Sequence, residues 1–284
     1  MKRRCVLVLA AGLLAAVGLP AHAIVLRYAP KVGEVTKHKA SMAGRMETEM
    51  AGMGSAMRVE MTMGMDYSEK AVSATEETTR VETRLLGGSA TMKMNGESHT
   101  EGLPTGRMVA EMDRRGRVVR VVEADFGGEE MAQGMAPGSE AFPNWSQFAA
   151  FPEGDVEVDE SWTDELEIPT GPGGPELKLT FTSRLLALTT FQDRKCAKLR
   201  SSFKGPMKFD MSDVNVPGGQ GGEGSMEATL QGDMLWYYDY ENSVYVYGEG
   251  SIGMDMTMSM PMPEGESGSM TTKMVMNIKT TLAK

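Results

Sequence analysis

The chain has 284 residues and a formal net charge of −10. That acidity argues against nucleic acid and anionic membrane surfaces as partners, while the length suffices for one large core or two small ones. Aromatic residues make up 6% of the chain, against 27 methionines and 33 glycines, and methionine is not among the commonest residues of globular proteins. Any functional account has to deal with it.

Lys2, Arg3 and Arg4 form a basic start, Cys5–Leu19 is an unbroken small and apolar run, and Ala21-His22-Ala23 is a small-x-small cleavage signal. The run is shorter than the roughly 20 residues that cross a bilayer, so the pattern predicts a secretory signal peptide over residues 1–23, cut after Ala23. Cys5 opens the apolar run rather than following it and is no lipoprotein acceptor. Cleavage would remove three cations and no acid, taking the net charge from −10 to −13, and would leave 26 of the 27 methionines. Cys196 would be the one remaining cysteine. That excludes an internal disulfide in the mature monomer, and its strand-like surroundings point to a structural thiol.

Long strands dominate the rest of the chain. Met57, Val59, Met61, Met63 and Met65 alternate with Arg58, Glu60, Thr62, Gly64 and Asp66. Met254, Met256, Met258, Met260 and Met262 alternate with Asp255, Thr257, Ser259 and Pro261, and Met270, Thr272, Met274, Met276 and Ile278 share one parity. Period two with one apolar face marks half-buried antiparallel strands. Reversals are predicted at Ala51–Ala56 and Pro263–Ser269, where Gly and Ser allow them. Pro169–Pro175, Pro217–Gly224 and Gly127–Gly138 read as Gly-rich loops. Trp145–Ala150, with Asn144 as N-cap, is the one stretch suggesting a short helix.

The chain shows a weak internal repeat. Tyr28–Thr36 and Val156–Leu166 are similar lead-ins, Arg80–Met94 resembles Lys195–Phe209, and Met112–Val119 resembles Tyr238–Tyr245, each of the last pair reading as strand, Asp-led turn, strand. The order of these matches predicts duplication, with superposable spans 28–123 and 155–250. The expected layout is residues 1–23 signal peptide, 24–138 first β-rich half, 139–154 hinge and 155–284 second β-rich half.

The pattern Phe151-Pro-x-Gly-x-Val-x-Val-x-x-Ser-Trp162, placed between β-rich halves behind a signal peptide, resembles a family of uncharacterised bacterial secreted proteins, a domain of unknown function. Those carry a Pro…Val-x-Val-Gly-Asp-Ser-Trp segment in mid-chain; here Asp159 and Glu160 stand in place of Gly and Asp. The resemblance brings no catalytic residues. More distantly, long one-faced antiparallel strands look like the half-barrel carriers of the LolA and LppX type, a likeness of architecture that does not give function.

No catalytic motif is present: His38 and His99 are far apart and in no recognisable pattern, and there is no Gly-x-Ser-x-Gly, His-Glu-x-x-His or phosphate loop. Adjacent acids such as Asp159/Glu160 and Asp164/Glu165 read as solvated strand ends rather than a glycosidase dyad. Thioether sulfur is a soft ligand suited to Cu(I), and Met-x-Met spacing sets two sulfurs on one face about 6.6 Å apart. The same alternation is what a packed strand needs. The aromatic run Trp236–Tyr247 reads as cross-strand pairing in a hairpin. A membrane β-barrel would want two aromatic girdles and a terminal aromatic, and the chain has neither.

The sequence thus predicts an all-β fold, a large antiparallel curved sheet or incomplete barrel built from two repeated halves with at most one short helix. The expected function is that of a non-enzymatic secreted or periplasmic binding or structural module. It would not be an integral membrane protein, would need no cofactor, and would have an unidentified apolar ligand, such as a lipid, or an envelope protein as partner. The apolar face is assigned to Met254, Met256, Met258, Met260, Met61, Met63 and Met65. The alternative reading is a Cu(I)-binding envelope protein with Met254, Met256 and Met258 as ligands.

Overall fold

The computed structural model describes residues 23–51, 56–126, 150–169, 176–210, 225–261 and 267–283. The predicted signal peptide, the helix-like stretch before Ala150, most of the hinge and the interiors of the Gly-rich loops lie outside the described residues. Within them the protein is all-β and has no helix.

The strands are β1 (Ile24–Val25), β2 (Val35–Met50), β3 (Ala56–Ala74), β4 (Thr78–Met94), β5 (Glu97–Leu103), β6 (Gly106–Asp113), β7 (Val118–Phe126), β8 (Asp155–Val156), β9 (Ser161–Pro169), β10 (Glu176–Phe191), β11 (Arg194–Asp210), β12 (Ser225–Asp239), β13 (Val244–Pro261) and β14 (Ser267–Leu282). Twelve form one antiparallel sheet in the order β7-β6-β4-β3-β2-β14-β13-β12-β11-β10-β9, with β5 beside the upper part of β4; β1 and β8 pair separately. Every neighbour on this path of eleven strands is antiparallel. The edge strands β7 and β9 therefore run in the same direction, and no antiparallel ladder can join them. The sheet is curved but not closed into a barrel.

Two strand ends far apart in sequence meet in the middle of the sheet, where β14 pairs with β2 from Met270↔Met50 to Leu282↔His38. Along this path each half is a meander, except that β5 turns back beside β4 and β6 also pairs with β4. A meander order is common to many such sheets and does not by itself speak for duplication. Locally, however, the lead-ins make the same turn. Glu34 N donates to Lys31 O and Glu160 N to Glu157 O, both at 3.1 Å. The residue before each has positive φ, +88° at Gly33 and +72° at Asp159. The backbone N–H of that residue donates across to a strand, Gly33 to Ala71 O and Asp159 to Leu185 O. Position 159 is where the resembled family carries Gly, the residue for which this conformation costs least. The Asp-led turns also correspond: Asp113 Oδ1 accepts from the N–H groups of Arg115 and Arg117, and Asp239 Oδ1 from those of Glu241 and Asn242.

One face of the sheet carries the core. Trp236, Tyr238, Met234, Leu199, Phe203, Leu179, Phe181 and Leu185 are buried on β10–β12, and Val81 and Met112 from the opposite end of the sheet join the same cluster. What draws the two ends together is the chain segment around Leu26, Tyr28, Phe151 and Val156, all buried. Tyr28 N donates to Arg114 O, Phe151 N to Arg115 O, and Trp162 Nε1 to Ala150 O. Arg115 and Arg117, in the β6–β7 turn, reach Asp164 on β9 at 3.3 and 3.7 Å. Register shifts at Asp66/Tyr67, Ala71/Ser73, Leu185/Ala187 and Tyr237/Tyr238 lie in this lower part of the sheet. Bulges of this kind bend strands and raise their twist, which lets the sheet wrap its core. Glycines permit close layering: a Cβ at Gly248 would stand 2.3 Å from the Trp236 ring, and one at Gly232 would stand 2.3 Å from that of Phe203.

Candidate functional site

Away from the aromatic core, the same face of the sheet becomes a field of methionine. The strands place one Met after another at directly opposed positions. Met226, Met258, Met270 and Met50 form a row across β12, β13, β14 and β2. Met254, Met274 and Met46 form a second row across β13, β14 and β2. Met276 opposes Ile252, Met63 opposes Met42, and Met92 opposes Met61. Directly opposed residues on one face have Cβ atoms about 4.5–5.5 Å apart, so these side chains cover one another and form a continuous apolar surface.

These methionines are neither a dry core nor a fully open surface. Met42, Met46, Met61, Met63, Met65, Met254, Met256, Met258, Met270, Met274 and Met276 are all half-buried, while Met50, Met57, Met92 and Met94 are exposed. Met42 and Met276 touch the aromatic core. Of the residues assigned from sequence, Met254, Met256 and Met258 share β13, and Met61, Met63 and Met65 share β3. The two sets are not neighbours. Strands β14 and β2 lie between them, a separation of about 14 Å at the usual strand spacing. Met260 opposes Gly268 on β14, but its side chain is not among those described. Missing from that assignment are Met270, Met274, Met276, Met42, Met46 and Met50, which fill the gap. Their signal is present in the sequence as alternation; what joins them is the β14–β2 pairing.

A second cluster lies at the other end of the face. His38 is 3% exposed, stacks on Tyr67 with ring centroids 5.0 Å apart, and has Nε2 3.2 Å from Thr36 Oγ1 and 3.8 Å from Glu69 Oε2. Glu69 lines a 20 Å³ cavity with Tyr28, Val81, Ser243 and Tyr245. That cavity has room for about one water. Burial pushes the Glu69 carboxyl up to about 7 and the His38 imidazole down to about 4. Tyr28, Tyr67 and Tyr245 are raised above the usual tyrosine value, by burial first and by the nearby Glu69 second or third. In the sequence His38 is an unremarkable strand residue and Glu69 draws no attention, because neither sits in a motif.

The remaining candidates are structural. His99 is on β5, exposed, with Nε2 3.0 Å from Glu101. Cys196 is fully buried, and burial pushes its thiol up to about 11. The adjacent acids point apart: Asp159 pairs with Arg184, and Glu160 accepts the Glu157 N–H. The aromatic run divides between faces, Trp236 and Tyr238 in the core and Tyr237 opposing Tyr247 outside, with Phe191 stacked on Tyr237 at 4.1 Å. No group of three or more His, Cys, Asp or Glu suited to a metal occurs among the described residues. The opposite face is polar. It carries the pairs Arg58–Glu47, Lys93–Glu60 and Arg200–Asp233, and an 810 Å³ trough lined by side chains such as Ser41, Ala43, Thr62 and Ser251.

Fold and face together define an open, all-β sheet protein with a methionine-lined side. No protein-family model and no curated relative matches the sequence. Among solved structures the chain is similar to Pseudomonas aeruginosa OccK7 (OpdD), at 6% identity over 89% of this chain and 100% of the other, with a TM-score of 0.25. It is also similar to a DUF1329 family protein from Desulfovibrio piger, at 8% identity over 83% of each chain, with a TM-score of 0.17. Both scores fall well below those of proteins sharing one fold, and the functional reading rests on this chain's own residues.

Proposed function

We propose that the protein is an exported, non-enzymatic binding module of the cell envelope whose methionine face takes up an apolar ligand of the acyl-chain type. One observation carries this reading: a continuous apolar surface runs across β12, β13, β14, β2, β3 and β4, with its side chains half-buried, while the aromatic core covers only the lower part of the same face. Contiguous apolar surface left open to water marks a binding site more often than a resting surface. Methionine suits such a surface because its unbranched, polarizable side chain adapts to ligands of irregular shape.

Arg45, Arg58, Glu60, Asp66 and Lys93 alternate with the methionines and so lie on the opposite, polar face of β2, β3 and β4. Among the described residues no helix is long and apolar enough to cross a membrane.

The test is saturable binding of a long-chain fatty acid to the full exported chain, read by native mass spectrometry and by displacement of an environment-sensitive naphthylamine dye. Met61→Lys combined with Met274→Lys should abolish it, whereas Thr62→Lys on the polar face should not. Unsaturable uptake, or equal binding by both variants, would remove the reading.

A further inference from the structure

The four-methionine row has a property that apolarity does not require. Met226, Met258, Met270 and Met50 come from four adjacent strands and are opposed pair by pair, Met226↔Met258, Met258↔Met270 and Met270↔Met50. Each thioether ends a side chain with three rotatable bonds. With Cβ atoms about 4.5–5.5 Å apart between opposed residues, the sulfurs of Met258 and Met50 can bend from either side toward that of Met270. Sequence spacing alone offers a poorer geometry. Met254, Met256 and Met258 follow one another along a single strand, about 6.6 Å apart at each step, and a closer sulfur comes only from the neighbouring strands.

The surroundings select for charge and softness. The ligand atoms are neutral. The acids next in sequence, Glu49, Glu227 and Asp255, fall on the other parity of their strands, and all three residues are exposed. On the methionine face, Thr272 and Thr48 share a 3.0 Å hydroxyl contact one row away. Such a site offers nothing to a hard divalent ion, which wants carboxylate or carbonyl oxygen, and suits a soft cation that prefers thioether sulfur. A single positive charge also needs no carboxylate to neutralise it. Met258 and Met270 are half-buried, which shields a held ion, and Met50 at the end of the row is 40% exposed, which gives it a way in.

We propose that Met258, Met270 and Met50 hold one Cu(I) or Ag(I) ion, with Met226 as a fourth sulfur. Binding is coordination without change of oxidation state. The site is separable from apolar-ligand uptake because leucine keeps the volume and apolarity of methionine while removing the sulfur.

The experiment is an anaerobic titration of the full exported chain with Cu(I) in competition with a chromogenic Cu(I) chelator, with X-ray absorption at the copper edge on the product. The expected result is one equivalent withdrawn from the chelator into an all-sulfur shell. Met270→Leu and, separately, Met50→Leu should each weaken it by at least about 10–100-fold, the loss known even for outer-shell partners of metal ligands. Thr62→Val, on the polar face, should leave it unchanged. No stoichiometric withdrawal, a shell containing nitrogen or oxygen, or undiminished binding by the folded Met50→Leu protein would each overturn the proposal. Loss of fatty-acid binding in the wild type with copper binding intact would overturn only the apolar-ligand reading.

Discussion

His38 Nε2 stands 3.8 Å from Glu69 Oε2, beyond hydrogen-bonding distance, with His38 stacked on Tyr67. Burial moves the two groups in opposite directions, Glu69 up to about 7 and His38 down to about 4. Between those values the folded protein holds both neutral, whereas the unfolded chain holds both charged between about 4.5 and 6.5. The number of bound protons is then the same in both states, and these two groups give stability no slope with pH across that window.

Single substitutions should expose the hidden slopes. In Glu69→Gln the histidine acts alone. The folded state refuses a proton that the unfolded state takes, so stability should rise by about 1 kcal/mol per pH unit from pH 4.5 to 6.5. In His38→Phe, which keeps the stack on Tyr67, the carboxyl acts alone, and stability should fall over the same range. Denaturant unfolding at three pH values decides it. Parallel curves for both variants and wild type would show that the pair is not buried as described.

Gly248→Ala should cost about 1–3 kcal/mol, the usual penalty for overpacking, because the new methyl would meet the Trp236 ring at 2.3 Å. Gly64→Ala meets nothing within 4 Å and should stay within about 0.5 kcal/mol of wild type. Equal stabilities for the two variants, read from urea midpoints, would mean that Trp236 does not lie across Gly248.

Peroxide should oxidise methionines in order of exposure. Met50, Met57, Met92 and Met94 are 40–49% exposed and should react first; Met234 at 0% and Met112 at 4% should resist until the protein unfolds. Peptide mapping over time gives the order. Early oxidation of Met234 would contradict the packing of the core.

At the seam, Arg115 donates from Nε to Phe151 O at 2.6 Å and lies 3.3 Å from Asp164. Arg115→Met leaves that carbonyl unpaired and Asp164 with Arg117 alone. The expected loss is about 1–3 kcal/mol, appearing first as faster hydrogen exchange in β7 and β9. Arg58→Met, which breaks an exposed pair with Glu47 on the polar face, should cost under about 1 kcal/mol. Similar losses from both would show that the seam contacts do not hold the curved sheet together.

Much of the sheet was legible because its strands carry their own pattern. Alternation of Met with polar residues along 57–66 and 254–260 gave strand, face and polarity before any contact was known, and the two Asp-led turns at Asp113 and Asp239 announced themselves by residue type. The buried cluster was not legible. Glu69 belongs to the same alternation as Tyr67 and Ala71, and nothing local says that it will line a cavity with Tyr28 and Tyr245. That burial depends on residues more than forty and more than a hundred positions away.

The methionine field divides in the same way. The sequence by itself determined that β3, β13 and β14 would each have a methionine side, because side-chain direction in a strand has period two and depends on nothing but the chain. Which methionines stand beside which was decided by the tertiary structure. The pairing of β14 with β2 sets Met270 opposite Met50 and turns two groups more than two hundred residues apart into one surface. A shift of one residue in that register would have faced the same side chains to the opposite side, and only the wrapping of the sheet around Tyr28 and Phe151, with the turns and bulges that go with it, selects the register seen.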